Sequence, residues 1–300
     1  MTPTVSVIIP AYNHEQFVGQ AIESVLQQSW EDLELLVIDD GSTDRTGEVA
    51  QGYSDSRLHY FYQENQDAFN TLNRGLQLAR GAFISILNSD DVYTTNRLER
   101  LIAEQKRYRA QCLFTDVIPI DEAGRVWKDP DFGWNQWHRK NREFYFSQND
   151  LYTGFLHGNF MVTTSNLFLT REAVNRTGGF CSLRYLHDYD YIFRVMLACP
   201  EQVVYLHDEQ LLMYRIHSGN TLGEAAITGR EQDKEVIRKY LLQGIAPECR
   251  QRAAAGADRL AELERELCEV RAALSPVPQP GVRDQARALA GAIVNRFIKR

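Results

Sequence analysis

The sequence predicts an α/β protein with a doubly wound, mostly parallel sheet and a helical appendage at its C-terminal end. Over the first 109 residues, short apolar segments alternate with segments of helical periodicity, which is the rhythm of repeated βα units. The apolar segments show almost no polar alternation, as is typical of strands that helices cover on both faces. Beyond residue 226, apolar residues recur only at helical spacing.

Each predicted strand is followed by a predicted helix, and small polar residues mark where two of the helices begin. Asn13, with Gln16 three residues on, is expected to cap the first helix, and Ser42 or Thr43 the second. Right-handed crossovers bring the carboxyl ends of the strands to one edge. The predicted strands are residues 5–9, which Pro10 ends, 33–38, 58–62 and 83–87, and the longer helices are 15–28, 69–79 and 95–109.

Two pairs of adjacent carboxylates follow predicted strands. Asp39 and Asp40 end the second strand, and Asp90 and Asp91 end the fourth. Ligands of doubly wound sheets bind at the carboxyl ends of the strands, so both pairs and Tyr12 are expected on one rim. Adjacent like charges need a cation or hydrogen-bond donors, and Mg²⁺ is typically held by carboxylates together with substrate phosphates. The rim is therefore predicted to bind a nucleotide with a metal-bridged diphosphate. The structural alternative is that Asp90 caps the next helix and Asp91 is solvated.

Composition limits the class of protein. The chain has 300 residues, of which 44% are hydrophobic, and its formal net charge of −7 argues against nucleic acid as a partner. Its five cysteines are scattered without CxxC spacing, which predicts reduced thiols in a cytoplasmic protein. No basic region precedes a long apolar run, so we expect a protein that is neither exported nor membrane-spanning.

Five stretches of the chain resemble a single family. They are VSVIIPAYNHEQFVGQAIESVLQQSW, ELLVIDDGSTDRT, GAFISILNSDDV, HDYDYIFRVM and MYRIHSGNT. Together they resemble the family 2 glycosyltransferases, which have a GT-A fold, over most of the first 220 residues. The resemblance implies an inverting enzyme that moves a sugar from a nucleotide-diphosphate sugar to a hydroxyl group of a glycan or lipid-linked glycan. It also implies a setting in cell-envelope, capsular or O-antigen polysaccharide synthesis.

The same resemblance implies which residues bind the donor nucleotide. Tyr12 would stack on or flank the base, and Pro10 belongs to the same donor-binding segment. Asp40, with Asp39 beside it, would hydrogen-bond the base, and Asp90 would lie near the ribose.

The metal and the catalytic base are also implied by the resemblance. Asp91, as the last acid of a DxD-like motif, would hold Mn²⁺ or Mg²⁺, and His217 would ligate the metal or contact phosphate. Asp188 would be the general base that deprotonates the acceptor hydroxyl, a role typically worth about 10²–10⁴ in rate. The chain departs from the family's commonest pattern at His187, where Glu is usual, and at Leu72, where many relatives have Arg.

The βα rhythm is lost over residues 119–152. A hairpin turn is predicted at 121–124, and a dense set of aromatic residues follows over 127–146. Aromatic faces suit sugars or a lipid-linked acceptor, and ordinary packing is the alternative. The run 160–168 is predicted to be a strand.

The predicted organisation is a glycosyltransferase domain at 1–225, with a donor half at 1–118 and an acceptor half at 119–225, followed by three helical or linking segments. Residues 226–274 contain a heptad seam at 258–274, which either joins two copies of the chain or packs on its own domain. Residues 275–282 form a Pro-rich linker. Residues 283–300 form a basic amphipathic helix suited either to the inner face of the membrane or to a partner protein.

Two other functions fit parts of the pattern. A sugar-nucleotide nucleotidyltransferase would share the nucleotide-binding sheet, but it would normally carry a Gly-rich basic loop after strand one, where this chain reads PAYNHEQF. A non-catalytic scaffold that binds a nucleotide sugar and pairs through the heptads is the other alternative. Neither GxGxxG after strand one nor GxxxxGK[ST] occurs, which argues against dinucleotide and P-loop sites.

Overall fold

The computed structural model describes residues 2–183, 186–217, 235–243, 250–251, 254–256 and 258. The chain divides into two compact units, residues 1–241 and 242–300. The described residues of the second unit are helical. The predicted linker at 275–282, the basic helix at 283–300 and nearly all of the heptad seam at 258–274 lie outside the described residues.

The strands of the described residues form one eight-stranded sheet in the order β3-β2-β1-β4-β7-β6-β8-β5. The pairs β1–β2, β1–β4, β2–β3 and β6–β8 are parallel, whereas β7 and β5 run antiparallel to their neighbours. This confirms the predicted α/β class with a mostly parallel sheet. The strands are β1 Val5–Ala11, β2 Leu33–Asp40, β3 Leu58–Gln63, β4 Phe83–Ile86, β5 Val92–Tyr93, β6 Cys112–Ile120, β7 Phe168–Thr170 and β8 Val203–Arg215.

Helices cover both faces of the sheet. Along β1, Ile8 points into a core shared with α3, whereas Val7 and Ile9 point into a core shared with α1, because successive strand residues face opposite sides. The helices are α1 Val18–Leu26, α2 Thr46–Gln51, α3 Ala68–Leu78, α4 Arg97–Tyr108, α5 Gly133–Gln148, α6 Leu151–His157, α7 Arg171–Thr177 and α8 His187–Ala198. A 3₁₀ turn spans Thr164–Asn166, and residues 235–243 are also helical. No helix of the described chain is long and apolar enough to cross a membrane.

The first strand extends past the proline that was predicted to end it. Pro10 pairs with Ile38 of β2 within the strand. The Ile8 carbonyl, which faces β4, accepts a hydrogen bond from the Leu87 amide, and the paired part of β4 ends at Ile86. Pro10 lies two residues further on and faces the same side, where the neighbouring strand has already ended. Its missing N–H therefore leaves no strand partner unsatisfied.

Both predicted helix caps are wrong. Asn13 has a φ of +51° and its side-chain oxygen accepts from the Thr43 amide, so it joins the loops after β1 and β2 instead of capping α1. The helix α1 begins five residues later, at Val18. At the start of α2, Asp44 accepts from the Thr46 amide, a role that had been predicted for Ser42 or Thr43.

The acceptor half differs from the prediction in one segment and agrees in another. Residues 160–167 are not a strand, and β7 begins only at Phe168, since the Asn166 amide group donates to the carbonyls of Thr115 and Met161 and holds the chain in a buried turn. The hairpin turn at 121–124 is confirmed: the Asp121 amide bonds to the Arg125 carbonyl, and Gly124 has a φ of +80°, which glycine adopts without strain.

Most of the aromatic residues of 127–146 pack within the protein. Trp134 stacks on His138 and Tyr214, and Trp127 stacks on Phe132. Trp127, Trp137 and Phe146 remain 38%, 42% and 47% exposed.

Candidate active site

A cleft of about 890 Å³ lies at the carboxyl edge of the parallel strands. It is lined by the segments that follow β1, β2 and β4, by the first residue of α8 and by the second residue after β8. The donor half and the acceptor half therefore meet at this cleft. Its lining includes Pro10, Tyr12, His14, Asp40, Leu72, Asp90, His187 and His217.

The charged groups that line the cleft are acidic. They are Glu15, Asp40, Asp44, Asp67, Asp90 and Glu122, and among the described residues no lysine or arginine lines it. An anionic ligand entering this cleft would therefore need a cation to accompany it.

Both acids of the first pair are buried, but only Asp40, which is 4% exposed, lines the cleft. Asp39 is 2% exposed and accepts hydrogen bonds from the Ser42 amide at 2.9 Å and the Tyr60 hydroxyl at 2.7 Å. Asp40 lines the cleft, and its Oδ1 accepts from the Gln63 side chain at 2.6 Å and the Gln66 amide at 3.0 Å. Neighbouring residues at the end of β2 point to opposite faces, so only one of the two acids reaches the cleft.

In the second pair, Asp91 is the buried member. It is 1% exposed, and it accepts from the Ser165 hydroxyl at 2.6 Å and the Arg215 amide at 2.9 Å. Burial, together with the neighbouring charge of Asp90, raises the pKa of Asp91 well above its usual value. Asp91 thus connects the loop after β4 to the end of β8.

Asp90 is the member of the second pair that lines the cleft. Its Oδ2 lies 3.1 Å from Nε2 of His217. Burial acts to raise the pKa of Asp90, but the contact with His217 and the nearby His14 outweigh it, so the pKa lies below its usual value. The geometry therefore favours Asp90 over the predicted Asp91 as the carboxylate partner of His217.

His14 completes a compact group with these two residues. The ligand atoms of His14, Asp90 and His217 lie within 4.8 Å of one another, a separation from which three side chains can converge on one metal ion. Burial lowers the pKa of His14, which favours the neutral imidazole that binds metals. Sequence reasoning missed His14, although its position in the loop after β1 puts it on the same rim as Tyr12.

Arg215 holds the loop that carries Asp90 in position. Its guanidinium donates to the Asp90 carbonyl at 2.7 Å and to the Gln20 side chain at 2.7 Å, and it lies over the Phe17 ring. Arg215 is fully buried, so its charge acts through the loop that it holds and not by direct exposure in the cleft.

Asp188 lies in the first turn of α8 and is 7% exposed. Its Oδ2 accepts from the Asn159 side chain at 3.0 Å, and its Oδ1 accepts from the Tyr189 amide at 2.8 Å. Burial raises the pKa of Asp188 to about 6, a value suited to accepting a proton near neutral pH. Asn159 was not predicted, because it comes from a loop 29 residues away.

His187 and Leu72, the two departures from the family pattern, both line the cleft. Burial lowers the pKa of His187 to about 4, and its Nδ1 is a buried atom without a hydrogen-bond partner among the described residues. A neutral imidazole thus replaces the usual glutamate beside Asp188.

A family model described as Glycosyl transferase family 2 matches residues 6–173. An uncharacterized glycosyltransferase of Rickettsia typhi is 30% identical over 230 residues, which are 75% of this chain and 67% of that protein. The glycosyltransferase EpsJ of Bacillus subtilis is 34% identical over 144 residues, which are 44% of this chain and 42% of that protein.

Two solved structures resemble the chain in fold. TarS of S. aureus in complex with UDP-GlcNAc has a TM-score of 0.63 at 17% identity, over 85% of this chain and 71% of that one. The mannosyltransferase PcManGT of Pyrobaculum calidifontis, in complex with GDP-Man and Mn²⁺, has a TM-score of 0.58 at 18% identity, over 100% of this chain and 89% of that one.

Proposed function

The chain belongs to glycosyltransferase family 2 and has a GT-A fold, and from this premise we propose that it transfers a sugar from a nucleotide-diphosphate sugar to a hydroxyl acceptor. The observation that carries the proposal is the convergence of Asp40, Asp90 and His187, the residue next to Asp188, at the carboxyl edge of the sheet. The complexes of TarS with UDP-GlcNAc and of PcManGT with GDP-Man support the donor class.

The donor nucleotide would bind along the ends of β1 and β2. Tyr12 is 47% exposed and lines the cleft beside Pro10, so its ring is available to flank a base. The carboxylate of Asp40 would accept a hydrogen bond from the base, while Asp39 holds the loop in place through Ser42 and Tyr60.

The diphosphate of the donor would be accompanied by Mn²⁺ or Mg²⁺. The acidic lining supports this, because the described lining residues offer the diphosphate no lysine or arginine. Asp90 and His217 would hold the ion, and Asp91 would keep the end of β8 in position behind them. When bound, the ion offsets the negative charge that develops on the leaving diphosphate.

Asp188 would act as the general base. The acceptor oxygen attacks the anomeric carbon as its proton passes to the Asp188 carboxylate. The new glycosidic C–O bond forms while the bond to the diphosphate oxygen breaks, and its electron pair leaves with the nucleoside diphosphate. A single displacement of this kind inverts the configuration at the anomeric carbon. The pKa of about 6 leaves Asp188 ionised at neutral pH and still basic enough to receive the proton.

The acceptor would be a glycan or a lipid-linked glycan of cell-envelope, capsular or O-antigen polysaccharide synthesis. The exposed Trp137 and the rest of the aromatic segment at 127–146 would lie on the acceptor side. Peripheral contact with the inner face of the membrane through 283–300, and self-association through 258–274, remain predictions.

The test is product release from a panel of nucleotide sugars with Mn²⁺, using the wild type and Asp188→Asn. We expect UDP or GDP release with one donor, and a loss of about 10²–10⁴-fold in the variant. The matched control is Asp208→Asn, which removes an exposed carboxylate beside His207. Wild-type transfer by Asp188→Asn would refute the assigned base. Formation of a nucleoside triphosphate and a sugar 1-phosphate from the nucleotide sugar, when pyrophosphate is added in place of an acceptor, would identify a nucleotidyltransferase.

A further inference from the structure

Three groups suited to metal binding converge from distant parts of the chain. His14 comes from the loop after β1, Asp90 from the loop after β4, and His217 from the residues that follow β8. Their ligand atoms lie within 4.8 Å of one another. Two ligands that each stand about 2.1 Å from one ion are at most about 4.2 Å apart, so closure around an ion needs only small side-chain movements.

The protein orients both imidazoles before any ligand binds. Nδ1 of His14 lies 2.7 Å from the Ser89 hydroxyl, a contact that leaves the other ring nitrogen to face the ion. The ring of His217 packs on Phe17 at 4.8 Å between centroids, and the Arg215 guanidinium lies 4.9 Å from the centroid of the same Phe17 ring. Partners of this kind fix the orientation of metal-binding histidines and raise the affinity of the site.

We propose that His14, Asp90 and His217 form a two-imidazole, one-carboxylate site that binds a divalent transition-metal ion before the nucleotide sugar arrives and prefers Mn²⁺ to Mg²⁺. The proposed function is needed only to explain what the bound ion does in sugar transfer; the metal site itself is inferred from its ligands. Its basis is the donor set: Mg²⁺ favours oxygen ligands and keeps its waters, whereas imidazole suits transition metals.

The donor set also has a consequence for the order of binding. A site with one carboxylate relies on substrate phosphates to complete the shell of the ion, so ion and nucleotide bind together. Two additional imidazoles give the ion three protein ligands, while open positions remain for diphosphate oxygens. The ion therefore binds to the free protein first, and the nucleotide sugar binds afterwards to the protein that already holds the ion.

The experiment titrates the full-length protein with MnCl₂ alone and follows free Mn²⁺ by electron paramagnetic resonance. We expect one Mn²⁺ per chain without nucleotide and little displacement by equimolar MgCl₂. His14→Ala should weaken Mn²⁺ binding by about 100-fold, and Ser89→Ala by about tenfold, because Ser89 only orients the ring. The matched control is His207→Ala, since His207 also contacts a carboxylate, that of Asp208, but is not part of the three-residue group.

Each outcome decides the proposal. Binding of Mn²⁺ only after UDP or GDP is added would overturn a preformed site, and equal competition by Mg²⁺ would overturn the selectivity. Unchanged Mn²⁺ affinity in His14→Ala would remove His14 from the site. A thermal midpoint of metal-free His14→Ala equal to that of the wild type shows that the fold is intact. Sugar transfer is measured separately, so a protein that binds Mn²⁺ but transfers no sugar would contradict the proposed function and leave the metal site standing.

Discussion

The two acidic pairs divide in the same way but do different work. In each pair only one carboxylate lines the cleft, Asp40 or Asp90, whereas Asp39 and Asp91 lie behind it and accept hydrogen bonds from the protein. Asp39 and Asp91 differ in how far along the sequence their hydrogen-bond partners lie. The partners of Asp39 lie 3 and 21 residues away in its own half, whereas those of Asp91 lie 74 and 124 residues away.

The comparison teaches that adjacency in sequence does not mean a shared role. Asp39 shapes the loop that follows its own strand, and Asp91 joins the donor half to the end of β8, which carries His217. If this is correct, mutation of the cleft-facing acids should affect ligands and catalysis, and mutation of the buried acids or their partners should affect stability.

The largest effect is expected from Asp90→Asn. The substitution removes the carboxylate next to His217 and should abolish Mn²⁺ binding and lower the rate of sugar transfer by about 10³-fold, or about 4 kcal/mol. The thermal midpoint at neutral pH should fall slightly, because the contact with His217 keeps the pKa of Asp90 below its usual value and the native state therefore favours the ionised carboxylate. Manganese titration and initial rates of nucleotide release measure the change. Retention of wild-type Mn²⁺ affinity would show that Asp90 is not a ligand.

Asp91→Ala should mainly lower stability, whereas Asp90→Asn should mainly lower Mn²⁺ binding and the rate of sugar transfer. It leaves the Arg215 amide and the Ser165 hydroxyl without their buried acceptor, so we expect a loss of about 2–3 kcal/mol in the free energy of unfolding, measured by urea denaturation. Asp91→Asn keeps one acceptor oxygen and removes a charge that burial disfavours, so at neutral pH it should be at least as stable as the wild type. A variant that unfolds like the wild type but no longer binds Mn²⁺ would instead restore Asp91 as the metal ligand.

Much of the fold could be predicted because β1, β2 and β4 are buried on both faces and the edge strand β3 is rich in aromatic residues. Their apolar runs lack alternation, and the predicted strands fall within two residues of β1–β4 at every boundary. The run 160–168 has apolar residues at both ends and was also predicted to be a strand, but only its last residue, Phe168, lies in one. Its conformation depends on hydrogen bonds from Asn166 to Met161 and to Thr115, 51 residues away, which no local pattern encodes.

The sequence predicted the edge of the sheet at which the site lies, but it did not predict which acid of the second pair faces the cleft. The carboxyl ends of parallel strands share an edge, so the convergence of Asp40 and Asp90 follows from the strand pattern. Which member of the second pair faces the cleft is decided in the loop between β4 and β5, where strand alternation does not apply. Its decisive partners, Ser165 and Arg215, come from the acceptor half.

Asp188 is buried and is also the proposed base, so Asp188→Asn should change stability as well as catalysis. Its pKa rises from 3.8 to about 6 because of burial, so the native state holds the proton more tightly than the unfolded chain does. Stability therefore falls as pH rises from about 4 to about 6, and the cost persists above that range. The variant should be more stable than the wild type by about 2–3 kcal/mol at pH 7.5 and nearly equal at pH 4. Urea denaturation at both pH values measures this, and a difference independent of pH would refute it.

The smallest effects separate the members of the first pair. Asp40→Asn keeps an oxygen for the Gln66 amide but loses the negative charge that would accept from the donor base, so KM for the nucleotide sugar should rise about tenfold with the thermal midpoint unchanged. Tyr60→Phe removes a hydrogen bond to Asp39 and should cost about 1 kcal/mol of stability with no change in KM. Steady-state kinetics and thermal melts test both variants. If Tyr60→Phe raised KM as much as Asp40→Asn did, Asp39 would belong to the donor site, and the division between buried and cleft-facing acids would not hold for this pair.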